Sequence, residues 1–183
     1  MKPWKRIDPT KVTKVGWRTI TSKTFEQPDG SVAVFDTLHA DGQEFSAVLA
    51  LTPDKKVIVA RQFRAGPEKL MDELPGGFVD KGEDPEKAAI REFMEETGYA
   101  PGSVEFLGAL HKDTYMNSKW YGFIAYDCVK QTDTQTLEDE EYIDIELISI
   151  DTLIDNARND AMTDHGIVLM AYDILRQLQK EDT

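Results

Sequence analysis

Between Gly77 and Tyr99 the chain reads GFVDKGEDPEKAAIREFMEETGY, a glycine-bearing loop running into one acidic helix, and no other stretch restricts the fold as tightly. Leu74-Pro75-Gly76-Gly77 leads into it; adjacent glycines permit tight or positive-φ backbone and let a ligand approach the main chain. Asp84 is a good N-cap, and Pro85 suits the first helical position, where its missing N–H costs nothing. Good helix formers run on to Thr97, and Gly98 is placed to take the left-handed conformation that ends a helix. The spacing predicts a helix over 85–97.

Glu92, Glu95 and Glu96 then stand at i, i+3 and i+4, within an arc of roughly 100° on one helical face. Like charges so placed repel by a few tenths of a kcal/mol per pair, a cost that bound cations or an arginine would offset. Hard carboxylate oxygens suit Mg²⁺ or Mn²⁺, which keep several waters and bridge to substrate phosphates. Arg91 precedes Glu95 by four residues and can orient a carboxylate through a forked, charge-assisted hydrogen bond. Taken alone, such a charge run is ordinarily a solvated helix face.

The full pattern adds what the charge run lacks. Gly77, Glu83, Arg91, Glu92, Phe93, Glu95, Glu96, Gly98 and Tyr99 occupy every fixed position of the Nudix box, and the segment resembles that loop-helix-loop. The resemblance implies a metal-dependent hydrolase of pyrophosphate linkages. Glu92 and Glu96 would be the main metal ligands, with Glu95 close by and the Gly76 carbonyl as a further oxygen. Gly77, Glu83, Arg91 and Gly98 would be structural, Glu83 and Arg91 holding the loop to the helix.

A chain of 183 residues, 40% of them hydrophobic, suffices for one compact core with an appendage. The runs Ser31–Leu38, Phe45–Thr52, Val57–Phe63, Val104–Leu110, Trp120–Val129 and Tyr142–Ile150 read as strands, and Asp151–Ala157 and Gly166–Leu178 as helices. Strands, an acidic helix, more strands and then helices suit an α/β (α+β) fold, a mixed sheet between helices. Thr132–Glu141 (TDTQTLEDEE) is a polar loop. The first residues hold no signal-like apolar run and no segment approaches membrane-span length, so a cytoplasmic protein is expected. A formal charge of −13 argues against sequence-independent nucleic-acid binding, which needs a cationic patch. Cys128, the only cysteine, reads as a packing residue in an apolar strand, not a nucleophile. His39, His111 and His165 are too scattered for a zinc site.

The flanks narrow the resemblance. Arg61-Gln62-Phe63-Arg64, then Glu73-Leu74-Pro75-Gly76-Gly77, and an upstream Asp29-Gly30 turn are similar to the ADP-ribose and nucleoside-diphosphate-sugar pyrophosphatase branch. That likeness implies a Nudix-type α/β/α sandwich over 43–183. Residues 1–42 would be a small antiparallel β arm that exchanges across a homodimer. Arg61, Arg64 and Glu73 become substrate-binding candidates; a guanidinium fits phosphate oxygens, while a pair between Arg64 and a nearby acid is the competing reading. Glu138 and Glu141, on the late loop, would activate the attacking water. The branch commonly carries a proline some sixteen residues beyond the box; here His111–Ser118 has none. Tyr115 in this stretch is instead similar to a tyrosine of dinucleoside polyphosphate hydrolases, where it would stack on a base. ADP-ribose, diphosphate sugars and dinucleoside polyphosphates therefore all stay open as small-molecule substrates. A nucleotide sensor is disfavoured by the intact carboxylates, and a prenyl diphosphate isomerase by the context of Cys128.

Overall fold

The computed structural model describes residues 2–137 and 142–181, and the chain forms two compact units. One comprises the residues up to Glu44 together with His111–Lys119; the other comprises Phe45–Leu110 and the residues from Trp120 onward.

In the first unit β1 (Lys5–Val15), β2 (Arg18–Glu26) and β3 (Val32–Leu38) form an antiparallel sheet in that order. The Asp29-Gly30 turn joins β2 to β3: Gly30 has φ 84°, and the Asp29 carboxylate accepts from the Ser31 N–H at 2.9 Å. The segment 111–119 is tied to β3, since Leu38 N–H donates to the Tyr115 carbonyl at 2.7 Å and Asn117 N–H to the Leu38 carbonyl at 2.9 Å. β1 and β2 were not readable from periodicity. β1 is exposed along nearly its whole length, so no buried face imposes apolar alternation on it.

The second unit is an α/β/α sandwich around a seven-stranded mixed sheet. Its elements are β4 (Glu44–Leu51), β5 (Val57–Arg64), β6 (Lys69–Glu73), β7 (Gly76–Phe78), α1 (Pro85–Thr97), β8 (Tyr99–Ala100), β9 (Ser103–Leu110), β10 (Lys119–Tyr126), β11 (Val129–Lys130), β12 (Asp144–Ile148), α2 (Ile150–Arg158), α3 (His165–Met170) and α4 (Tyr172–Lys180). The strand order is β12-β5-β4-β10-β9, with β6 added to β5 and β7 to β4, while β8 and β11 make a separate ribbon.

Central β4 explains the layering. Its residues are buried on both faces, so it reads as a continuous apolar run. Ala47, Leu49 and Leu51 pack with Leu153, Ile154, Ile167 and Leu175 of the C-terminal helices. The alternate residues Val48 and Ala50 pack with Ala89 and Phe93 of α1 and with Cys128. Burial pushes the Cys128 thiol up to about 12, which suits packing and removes it as a nucleophile. No helix among the described residues is long and apolar enough to cross a membrane.

One expectation is corrected: the single helix read over 166–178 is two, α3 and α4, meeting at Ala171. There ψ opens to −3°, while Val168, Ala171 and Leu175, at helical i, i+3 and i+7 spacing, all remain in the core. The last strand is also shorter than the apolar run from Tyr142, because Ser149 leaves it to cap α2, accepting from Thr152 N–H.

Phe93 is fully buried on the inner face of α1. Phe93→Ala should lower unfolding free energy by about 3–5 kcal/mol, read as a shift of the urea midpoint with an unchanged slope.

Candidate active site

The helix that carries the carboxylates begins and ends where its side chains dictate. Asp84 accepts from the N–H groups of Glu86 and Lys87 at 3.0 and 3.3 Å, Pro85 opens the first turn, and Gly98 closes the last with φ 71°. Gly98 has a second reason to be glycine: a Cβ would lie 2.3 Å from the Thr132 carbonyl oxygen.

β7 runs antiparallel to the start of β4, with Gly76 opposite Ala47 and Gly77 opposite Ser46. A Cβ on Gly76 would fall 2.1 Å from the Ser46 carbonyl oxygen, and one on Gly77 would fall 2.6 Å from the Glu92 carboxylate. The two glycines thus admit β4 on one side and an acidic side chain of α1 on the other. Glu96, only 7% exposed, accepts from the Gly76 N–H at 3.0 Å. Two carboxylates of the chain itself therefore rest on the bare backbone of Gly76 and Gly77.

Arg91 holds this arrangement. Its Nε and Nη2 donate to both oxygens of Glu83 at 3.1 Å, Nη2 also to the Phe78 carbonyl at 3.2 Å, and Nη1 to Glu92 at 2.9 Å and Glu95 at 3.2 Å. The hydrogen bonds to Glu83 are the largest cause of a raised Arg91 pKa. Reciprocally, Arg91 and then the Asp80 N–H hold the Glu83 carboxyl below its ordinary value.

At the end of β5, Arg64 makes a forked pair with Glu73, and the charges of Asp164 and Glu96 add to the rise in its pKa. Arg61 is bound by both oxygens of Asp72, at 2.7 and 3.2 Å, with Glu146 at 3.4 Å. The structure thus brings Gly76, Gly77, Glu83, Arg91, Glu92, Glu95 and Glu96 together and sets the Arg64–Glu73 pair within electrostatic reach of Glu96. Arg61 is engaged in its own ion pair. Tyr115 belongs to the first unit, where its exposed ring borders a cavity of about 490 Å³ with Lys23, Phe25, Phe35 and Asn117. Glu138 and Glu141 lie outside the described residues.

Three residues gave no usable sequence signal. Asp164, almost fully buried, accepts from the Leu74 N–H at 3.0 Å and so fixes the entry to the glycines from across the unit. Asp72 joins β6 to the 161–163 stretch by backbone hydrogen bonds and accepts from Asn156 at 2.7 Å. Ser46 is completely buried, and among the described residues its hydroxyl has no hydrogen-bond partner. A buried polar group left so costs about 1–3 kcal/mol.

Among the described residues no three acidic, histidine or cysteine side chains converge into a ready metal cage. Arg91 draws Glu92 and Glu95 to itself while Glu96 engages the Gly76 N–H. The donor set nevertheless fits a hard divalent cation: carboxylates of one helix, bare backbone beneath them, and an orphaned buried hydroxyl beside them.

The NUDIX domain model matches residues 43–169. The ADP-ribose pyrophosphatase of Bacillus subtilis (strain 168) is 27% identical over 160 residues, spanning 85% of each chain. The methanol dehydrogenase activator of Bacillus methanolicus is 27% identical over 145 residues, 79% of this chain and 77% of that protein. The ADP-sugar pyrophosphatase of Mus musculus is 35% identical over 92 residues, 45% of this chain and 42% of that one. A solved structure described as an ADP compounds hydrolase superposes over 99% of this chain and 97% of its own, with a TM-score of 0.79 and 18% identity, a likeness of fold.

Because the folded state lowers the Glu83 pKa, its ion pair with Arg91 stabilises the fold above the ordinary carboxylate range and is lost as pH falls below about 4. Denaturant titrations of Glu83→Gln should show lower stability than the parent at pH 7, by about 1 kcal/mol, and a shallower loss on acidification.

Proposed function

This chain belongs to the Nudix family of pyrophosphate hydrolases, and from that premise we propose that it cleaves a nucleoside diphosphate linked to another moiety. ADP-ribose or a nucleoside-diphosphate sugar would yield a nucleoside monophosphate and a phosphorylated second product. The observation that carries this reading is the seating of Glu92 and Glu96 on the Gly76-Gly77 strand, with Glu92 held by Arg91 and Glu96 by the Gly76 N–H. Similarity to an ADP-ribose pyrophosphatase along 85% of the chain supports the substrate class.

Glu92, Glu95, Glu96 and the Gly76 carbonyl would hold Mg²⁺ or Mn²⁺. Such an ion, when bound, neutralises phosphate charge and makes water a better nucleophile at neutral pH. The protein's own part is positional. Gly76 and Gly77 admit β4 and the Glu92 carboxylate against bare main chain, and Arg91 counters repulsion between Glu92 and Glu95. Arg64, with Glu73 fixing its fork, presents a half-exposed guanidinium suited to a substrate phosphate; Arg61 is a further candidate, released from Asp72 only at the expense of a buried carboxylate. Glu138 or Glu141 would take the proton of the attacking water. In support, the described ends of their loop are tethered beside the box: Thr136 N–H donates to the Glu95 carbonyl at 2.8 Å, and the Gln135 amide donates to the carbonyls of Glu96 and Ile143 at 2.6 and 3.3 Å.

Residues 1–42 are proposed as the dimerisation arm, supported by the exposed Val12, Val32 and Val34 on its sheet; a monomer mass in sedimentation velocity would overturn that assignment.

Hydrolysis should be followed on ADP-ribose, diphosphate sugars, diadenosine polyphosphates and nucleoside triphosphates, with Mg²⁺ and with chelator. ADP-ribose or a diphosphate sugar should be preferred, and chelator should abolish turnover. Glu96→Gln should cut kcat on the order of 10²- to 10⁴-fold with an unchanged circular dichroism spectrum. Near-normal turnover of Glu96→Gln at saturating Mg²⁺ would sink the carboxylate assignment.

A further inference from the structure

Ser46 is the buried polar side chain for which the fold has no use. It stands on β4 in the same alternation as Val48 and Ala50, which pack against Ala89 and Phe93 of α1, so its side chain is on the α1 face of the sheet. It is paired across the ladder with Gly77, and paired residues on antiparallel strands share a face with Cβ positions about 5 Å apart. On that same face the Glu92 carboxylate fills the place where a Gly77 side chain would be. The hydroxyl is fully buried and unpartnered among the described residues, and alanine would pack there equally well.

We propose that Ser46 is a positioning residue for Glu92, its hydroxyl donating a hydrogen bond to that carboxylate when the site is loaded with Mg²⁺ or Mn²⁺. The inference rests on the carboxylate reading above and adds a group that the box pattern does not contain. In this structure Glu92 is turned toward Arg91, 2.9 Å away; a cation competes with the guanidinium for the same oxygens. A glutamate side chain free to swing between the two binds an ion poorly, and a fixed donor at its base selects the orientation facing the ion. Partners of metal ligands that act in this way typically change metal affinity 10- to 100-fold when removed.

The test uses the full chain and its Ser46→Ala variant, titrated with Mn²⁺ in the absence of substrate and followed by the electron paramagnetic resonance signal of free ion. Thermal unfolding is recorded beside it in chelator. Ser46→Ala should raise the Mn²⁺ Kd on the order of 10-fold and leave the metal-free Tm equal or higher, since the orphaned hydroxyl is gone. An unchanged Kd overturns the role of Ser46, and so does a metal-free Tm lowered by several degrees, which would make the hydroxyl part of the fold itself. Failure of the parent protein to bind Mn²⁺ would instead overturn the underlying carboxylate reading.

Discussion

Three glutamates on one face of one helix are tolerable because Glu92 and Glu95 share the Arg91 guanidinium while Glu96 accepts from the Gly76 N–H. Arg91 spends one side of its fork on Glu83 and the other on Glu92 and Glu95, so the loop 78–83 and the acidic face of α1 are locked by the same planar group. A lysine at this position would present a point charge without the fork geometry, and could not hold a loop carboxylate and two helix carboxylates in fixed directions. Everything else at the site is arranged around that fork: the loop returns to the helix because Glu83 is held, and the carboxylates meet the strand because Gly76 and Gly77 carry no side chains.

The site also depends on parts of the chain remote from the box. Asp164 on the far side of the sequence holds the Leu74 N–H, the Val48 N–H holds the Pro75 carbonyl at 2.9 Å, and Thr136 and Gln135 bind the last carbonyls of α1. Each contact satisfies a backbone group that the glycine loop or the helix end would otherwise leave bare. The consequence is a carboxylate platform whose backbone is fixed from several remote parts of the unit.

A chain with so large a negative charge handles a negatively charged substrate only if cations are present where the phosphates arrive. Arg64 and Arg61 are the cations at the end of β5, and both are already paired with acids, Glu73 and Asp72. Such pairing orients a guanidinium in advance but also reduces its net attraction for phosphate. On the proposed function the burden of charge neutralisation would fall on a divalent ion held at α1, and the acidic helix would be an asset instead of an obstacle.

Helix α1 was legible to the residue because its signals are local: Asp84, Pro85 and Gly98 act on neighbouring backbone, and the 3.6-residue repeat places Glu92, Glu95 and Glu96 on one face. The burial of β4 and β5 was likewise written in their apolar runs. The break at Ala171 was not, since no glycine or proline marks it. Nor could sequence choose the partner of Arg64, because Glu73 meets it only through the β5–β6 pairing. By itself, then, the sequence determined the family, the acidic helix and the residue types of the site. Only the tertiary structure decided that Asp164 and Ser46 belong beside it, because hydrogen bonds and burial between residues tens of positions apart depend on strand register, and register is settled by the whole sheet at once.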